Sequence, residues 1–167
     1  DRYSEYKKIK RNKFTLGQDG NALVALFTLN VIFFLVLLMA QVVYFFYQQT
    51  PQLYNAQVVQ WFELPSSLSK LSERPWTILT YMFSDTGQNL IRIISNMLWL
   101  WAFGYILQEM TGNDKLIPIY IYGGVLGGIV FIAANYLIPP LRILGNSTAL
   151  LGANAGTMAV AMATTTL

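Results

Sequence analysis

Residues 22–47 read ALVALFTLNVIFFLVLLMAQVVYFFY, twenty-six positions without a single charge. As a helix they would reach about 39 Å, more than the roughly 30 Å hydrocarbon core of a bilayer. The stretch from Ala22 to Tyr47 is therefore read as a first transmembrane helix. A cleaved signal peptide would carry a shorter apolar run and a small-residue cleavage site, and neither is evident. The uncharged tract is longer still, from Gly20 to Phe62.

Upstream, Lys7, Lys8, Lys10, Arg11 and Lys13 crowd against the start of this helix. A positive flank of this kind is retained on the cytoplasmic side, so residues 1–20 are expected to form a basic cytoplasmic segment. That segment holds the whole excess of the net charge of +3, since the remaining chain has five charges of each sign. The basic balance is a local tail facing a membrane surface, and no nucleic-acid partner is expected. With 54% hydrophobic residues, 11% charged and a mean hydropathy of +0.44, the chain is expected to have the lipid bilayer as its main partner. Cysteine and histidine are both absent from these 167 residues. Among them this excludes disulfides, thiolate chemistry, Ser-His engines and the usual zinc and haem sites, so no metal and no cofactor is expected.

Downstream, residues 48–89 form a long connection on the extracytoplasmic side, too apolar for a plain solvated loop. Trp61, Phe62, Trp76, Tyr81 and Phe83, set among prolines, predict short amphipathic pieces lying in the membrane interface. A second span is expected over Leu90 to Met110 and a third over Leu116 to Ile138, joined by a cytoplasmic turn at Asn113-Asp114-Lys115. Pro139-Pro140 would end the third. A fourth opens near Gly152, but the fifteen residues from Ala153 to Leu167 are too few to cross a bilayer; further residues at both ends of the natural chain are expected. The fold class is thus all-α, a polytopic helical bundle with four spans visible.

Glycines set four apart allow helix backbones to approach closely where lipid offers no hydrophobic drive. Gly123/Gly127 and Gly124/Gly128 on the third span, and Gly152/Gly156 at the head of the fourth, fit that use. The last pair also has the outline of a nucleophile elbow. Gly104, Glu109 and Gly112 are read as further helix-packing positions, the carboxylate needing a partner at a helix end whose dipole opposes it. Arg92 lies just inside the second span with Asn96 one turn deeper on the same face. An ionisable group at that depth marks a site or snorkels to the headgroups, and an amide there serves function or interhelix bonding.

The run Asn96-Met-Leu-Trp-Leu-Trp-Ala-Phe-Gly104-Tyr-Ile-Leu-Gln-Glu109-Met-Thr-Gly112-Asn-Asp-Lys115-Leu-Ile-Pro-Ile-Tyr120, with the glycine-rich span after it, resembles the second and third helices of the rhomboid intramembrane serine proteases. Arg74-Pro-Trp76-Thr-Ile-Leu-Thr-Tyr-Met-Phe-Ser84 is similar to the end of their first loop. Leu151-Gly152-Ala153-Asn154-Ala155-Gly156 is similar to the start of their fourth helix. The resemblance extends over roughly Ala22 to Leu167. It implies six core helices around a water-filled cavity, a serine on the fourth and a histidine on the sixth. It also implies a histidine and an asparagine on the second that stabilise the oxyanion.

In this sequence the oxyanion asparagine falls at Asn96, the histidine four before it at Arg92, and the nucleophile at Asn154; a further loop histidine falls at or near Asp85. A carboxamide is no substitute for an activated hydroxyl, and Ser147, Lys115 and Lys70 are not placed to form a Ser-Lys pair. The expectation is a catalytically inactive rhomboid-like pseudoprotease, not an enzyme. It would bind transmembrane or membrane-associated client proteins, or serve as a subunit of a membrane complex, in a bacterial inner membrane. Arg92, Asn96, Asn154 and Trp76 are the client-binding candidates. The alternative is a protease captured as an inactivated, substrate-trapping variant. A channel or transporter would call for a ring of charges or a pair of broken helices, and the sequence has neither.

Overall fold

The protein is seen as a computed structural model, which describes residues 21–86, 90–138 and 149–166. The basic segment with Lys7 to Lys13, the Pro139-Pro140 stop, Ser147 and the end of the chain at Leu167 lie outside the described residues.

Helix α1 occupies Ala22–Phe46, opened by Asn21, whose side chain accepts from the Val24 N–H at 3.3 Å. Its residues are apolar all round, as a helix surrounded by lipid and protein must be. Leu23, Leu26 and Leu37 face the core, while Ile32, Val36 and Met39 are exposed. Past Phe46, Gln48 takes a positive φ of 52° and turns the chain back. Thr50 then caps α2 (Pro51–Gln57), with Pro51 where a helix needs no N–H. The Tyr54 hydroxyl donates to the Leu37 carbonyl at 2.8 Å and pins α2 to α1.

After a 3-10 turn at Val59–Trp61 come α3 (Leu68–Glu73) and α4 (Thr77–Thr80), so the connection is a string of short helices. Helix α5 runs over Leu90–Thr111 and α6 over Leu116–Leu137, with a 3-10 turn at Asn113–Lys115 between them. Helix α7 takes Asn154–Thr166 and begins two residues later than the glycine spacing predicts. Among the described residues three helices are long and apolar enough to cross a membrane, Ala22–Phe46, Leu90–Thr111 and Asn113–Leu137 with its opening 3-10 turn. The chain is a multi-pass helical membrane protein. A two-residue antiparallel ladder, not anticipated from the sequence, joins β1 (Leu64–Pro65) to β2 (Ala149–Leu150) and ties the connection to the approach to α7.

Helix α7 packs extensively against both α6 and α5, which touch each other far less. The glycines explain how, and they correct three packing assignments. A Cβ on Gly123 would lie 2.0 Å from the Ala159 Cβ, and one on Gly127 2.6 Å from that of Ala155, so this pair carries the α6–α7 contact. Gly124 and Gly128 face elsewhere. They admit Met82, Leu64 and Tyr81 of the connection, and so pack a loop against α6, not a second span. Gly156 lies against the Tyr120 ring and Gly104 against Leu23, both true interhelical approaches. Gly112 has φ +85° and open space around its Cα; it ends α5 and packs nothing. Glu109 accepts from Tyr105 on its own helix at 2.6 Å, a same-face bond one turn back, where a bond to a neighbouring helix was among the expectations.

Candidate functional site

Three pieces of chain meet where the connection ends. Its last described residues, Tyr81 to Thr86, are all buried except the half-buried Phe83. They are held by backbone and hydroxyl bonds at separate points. The Tyr81 hydroxyl donates to the Gly124 carbonyl at 2.5 Å, the Tyr120 hydroxyl donates to the Met82 carbonyl at 2.9 Å, and the Gly152 N–H donates to the Tyr81 carbonyl at 3.0 Å. Burial pushes the Tyr81 phenol up to about 12, so it stays a protonated donor at any physiological pH. Asn30 of α1 adds to this frame, donating to the Leu26 carbonyl at 2.8 Å and to the Tyr120 hydroxyl at 3.5 Å. Buried polar groups inside a bundle must find partners among themselves, and these residues do so across α1, α6 and the connection.

Asp85 is delivered by this frame to the first turns of α5, where Arg92 meets it. The Arg92 Nε lies 3.2 Å from each carboxylate oxygen, and its Nη2 also donates to Asp85 Oδ1. Oδ1 accepts in addition from the Thr86 N–H at 2.9 Å. The carboxylate is 10% exposed and the guanidinium 34%. Arg92 is therefore neither a lone clamp awaiting a ligand nor a side chain snorkelling to the headgroups: it is half of an ion pair within the chain. Gly152 completes the enclosure. It is not a helix-packing residue, because it precedes α7 at φ +118°, and a Cβ there would lie 3.4 Å from Asp85 Oδ2 and 3.9 Å from Arg92 Nε.

Asn96 lies one turn below Arg92, 8% exposed, and its Nδ2 is buried with no hydrogen-bond partner among the described residues. It borders a small chamber of about 30 Å³, shared with Asn30, Phe34, Phe83, Asp85 and Ala153. An unsatisfied buried amide costs about 1–3 kcal/mol. Asn154, the first residue of α7, is exposed, so its carboxamide stands outside that chamber while its neighbour Ala153 lines it. Trp76 belongs to a separate cluster. It stacks on Trp61 at 6.2 Å with 4° between the planes and donates from Nε1 to the Trp61 carbonyl, while the Arg74 guanidinium sits 4.4 Å from the Trp61 ring. Asn30, Tyr81 and Tyr120 carry the frame but were not singled out as site residues from the sequence; for Asn30 the signal was there, an amide well inside an apolar span.

Among the described residues no three His, Cys, Asp or Glu side chains gather into a metal-binding group. The arrangement offers an exposed carboxamide, an internally neutralised ion pair and a buried amide donor beside a small chamber.

This is a multi-pass helical membrane protein with an ion pair and a buried amide at the start of α5, beside the approach to α7. Residues 72–167, more than half of the chain, match the family model described as the Rhomboid domain, and the chain belongs to the rhomboid family. Comparison with curated proteins and with solved structures gives no match.

Proposed function

We propose that this rhomboid-family protein works without peptide-bond cleavage, binding transmembrane or membrane-associated client proteins or serving as a subunit of a membrane complex. The observation that carries the reading is Asn154 at the head of α7, where the resemblance puts the nucleophile. An amide nitrogen has its lone pair delocalised into the carbonyl and cannot take the part of an activated hydroxyl. The Asp85–Arg92 pair supports natural loss over an engineered trap. Arg92, where the resemblance gives a histidine, and Asp85, at or near the place of a second, hold complementary charges that fit each other, which a single inactivating substitution would not produce. On the strength of the basic residues Lys7 to Lys13 we place the N-terminus on the cytoplasmic side of the membrane.

The test is isolation of the full-length protein from its native membrane in mild detergent, alongside cleavage assays on a labile transmembrane substrate. The expected results are a partner at stoichiometric level and no cleavage. Cleavage by the native chain overturns the proposal, and so does purification free of any partner. Cleavage by an Asn154→Ser, Arg92→His double variant alone would mark a recent loss of catalysis.

A further inference from the structure

We infer that the middle of the connection is sunk into the leaflet on the side where α1 ends, and that its exposed face of Trp61, Trp76 and Leu79 is covered by lipid acyl chains. The depth follows from what the connection touches. The Phe62 and Phe83 rings lie 6.2 Å and 6.1 Å from the ring of Phe33, which stands about 20 Å along the axis from the end of α1 at Phe46. On α6 a Cβ at Gly128 would lie 2.9 Å from Leu64 and 3.3 Å from Tyr81, and Gly128 stands about 14 Å from the end of that helix at Leu137. Half of a hydrocarbon core is about 15 Å, so two spanning helices place the inner face of the connection near the middle of the membrane. A string of short helices lying wholly in the interface, as the sequence predicts, would meet the last turns of α1 and α6 instead.

Backbone chemistry points to the same occupant. Three successive carbonyls each accept from a side chain of the connection itself: Gln60 from Arg74 Nη1 at 2.9 Å, Trp61 from Trp76 Nε1 at 3.1 Å and Phe62 from Thr80 Oγ1 at 3.3 Å. Water would solvate such carbonyls unaided, whereas hydrocarbon offers an open carbonyl no partner, and a chain placed there must supply its own. These bonds also turn the polar atoms inward. Trp61, Trp76 and Leu79 are left 45%, 46% and 45% exposed, with the Arg74 guanidinium held on the Gln60 carbonyl and 4.4 Å from the Trp61 ring. The wet edges lie to either side. Helix α2, bonded through Gln57 to Tyr44 near the end of α1, exposes Gln52 and Asn55, and α3 exposes Lys70, Ser72 and Glu73, so both stand at the headgroups. The inference does not rest on the proposed function, because the same lipid would cover this face in a protease or in a client-binding protein.

The test is tryptophan quenching in the full-length protein, reconstituted in phosphatidylcholine vesicles, with every tryptophan except Trp61 and Trp76 replaced by phenylalanine. Within these residues that means Trp99→Phe and Trp101→Phe. Lipid brominated midway along its acyl chains is expected to cause a larger loss of emission than aqueous acrylamide does. A larger loss with acrylamide overturns the inference. Emission that neither reagent quenches overturns it too, since protein and not lipid would then cover the face. A second readout leaves the tryptophans in place, with a nitroxide on Leu79→Cys or on Ser72→Cys as the sole cysteine. Collisions with molecular oxygen should exceed those with an aqueous nickel chelate at Leu79, and the order should reverse at Ser72. A label at Leu79 that meets the nickel chelate as often as the one at Ser72 overturns the inference.

Discussion

At Gly152 the backbone sits at φ +118°, a region that side chains with a Cβ avoid at a cost of about 1–3 kcal/mol. Gly152→Ala would add contact between its methyl and the Asp85 carboxylate, so we expect a lower Tm in mild detergent. A Tm equal to the native value would show that the turn relaxes freely. Glu63, in the connection, has its carboxyl pushed above the ordinary value of 4.5 by burial, against the lowering pull of Arg74 and then Lys70. A raised acid holds its proton longer in the folded chain than in the unfolded one, so its contribution is present below about pH 4.5 and is lost as pH climbs through the folded value. Glu63→Gln should therefore remove a decline in Tm across that window, and an unaltered profile would assign the decline elsewhere. The sequence displayed Arg92 as a charge inside a span and Asn96 one turn below it. It could not display Asp85 as the partner, because that pairing depends on where Tyr81 and Met82 fasten the end of the connection to α6 and to the approach to α7.

Helix α6 carries two glycine pairs that are equivalent in spacing and unequal in what they meet. From the sequence both read as helix-packing grooves, since periodicity locates a face but not its neighbour. The structure gives Gly123 and Gly127 to α7, and Gly124 and Gly128 to Tyr81, Met82 and Leu64. Gly123→Ala would set its Cβ 2.0 Å from that of Ala159, a methyl fixed to the backbone that cannot swing aside, and overpacking of that kind costs about 1–3 kcal/mol against the roughly 1 kcal/mol that alanine adds to a helix. Gly124→Ala meets the far end of the Met82 side chain at 2.6 Å, which can swing aside. Thermal denaturation should place Gly123→Ala clearly below Gly124→Ala, with Ala159→Gly restoring the first. Equal losses, or no rescue, would mean that α7 is not seated on this face. Helix ends were legible to within a few residues where a cap or glycine stood, as at Asn21 and Gly112. The β1–β2 ladder was not, for two-residue strands leave no pattern to read.

For the whole molecule, the run of 22–47 and the two apolar segments after Asn89 were enough to give a multi-pass helical protein from composition and length alone. What they left open is how the helices close up. Helix α7, only thirteen residues long, settles it by standing against both α5 and α6, joined to α5 by the Thr164 hydroxyl donating to the Phe103 carbonyl at 3.2 Å. At one end of the bundle Gln108 donates to Asn21 at 3.3 Å and to Asn113 at 2.5 Å, so the start of α1 and the α5–α6 turn share a face. The connection leaves α1 from its other end, past Phe46. If α1 spans the bilayer, Ser72 and Asp114, both exposed, lie on opposite sides of it. On the proposed orientation, with Lys7 to Lys13 on the cytoplasmic side, Ser72→Cys should react with an impermeant maleimide on intact cells, and Asp114→Cys only after permeabilisation. The reverse pattern would invert the orientation and leave the fold standing. Labelling of both from one side would break the argument at its base, because two groups separated by an odd number of crossings cannot share a compartment.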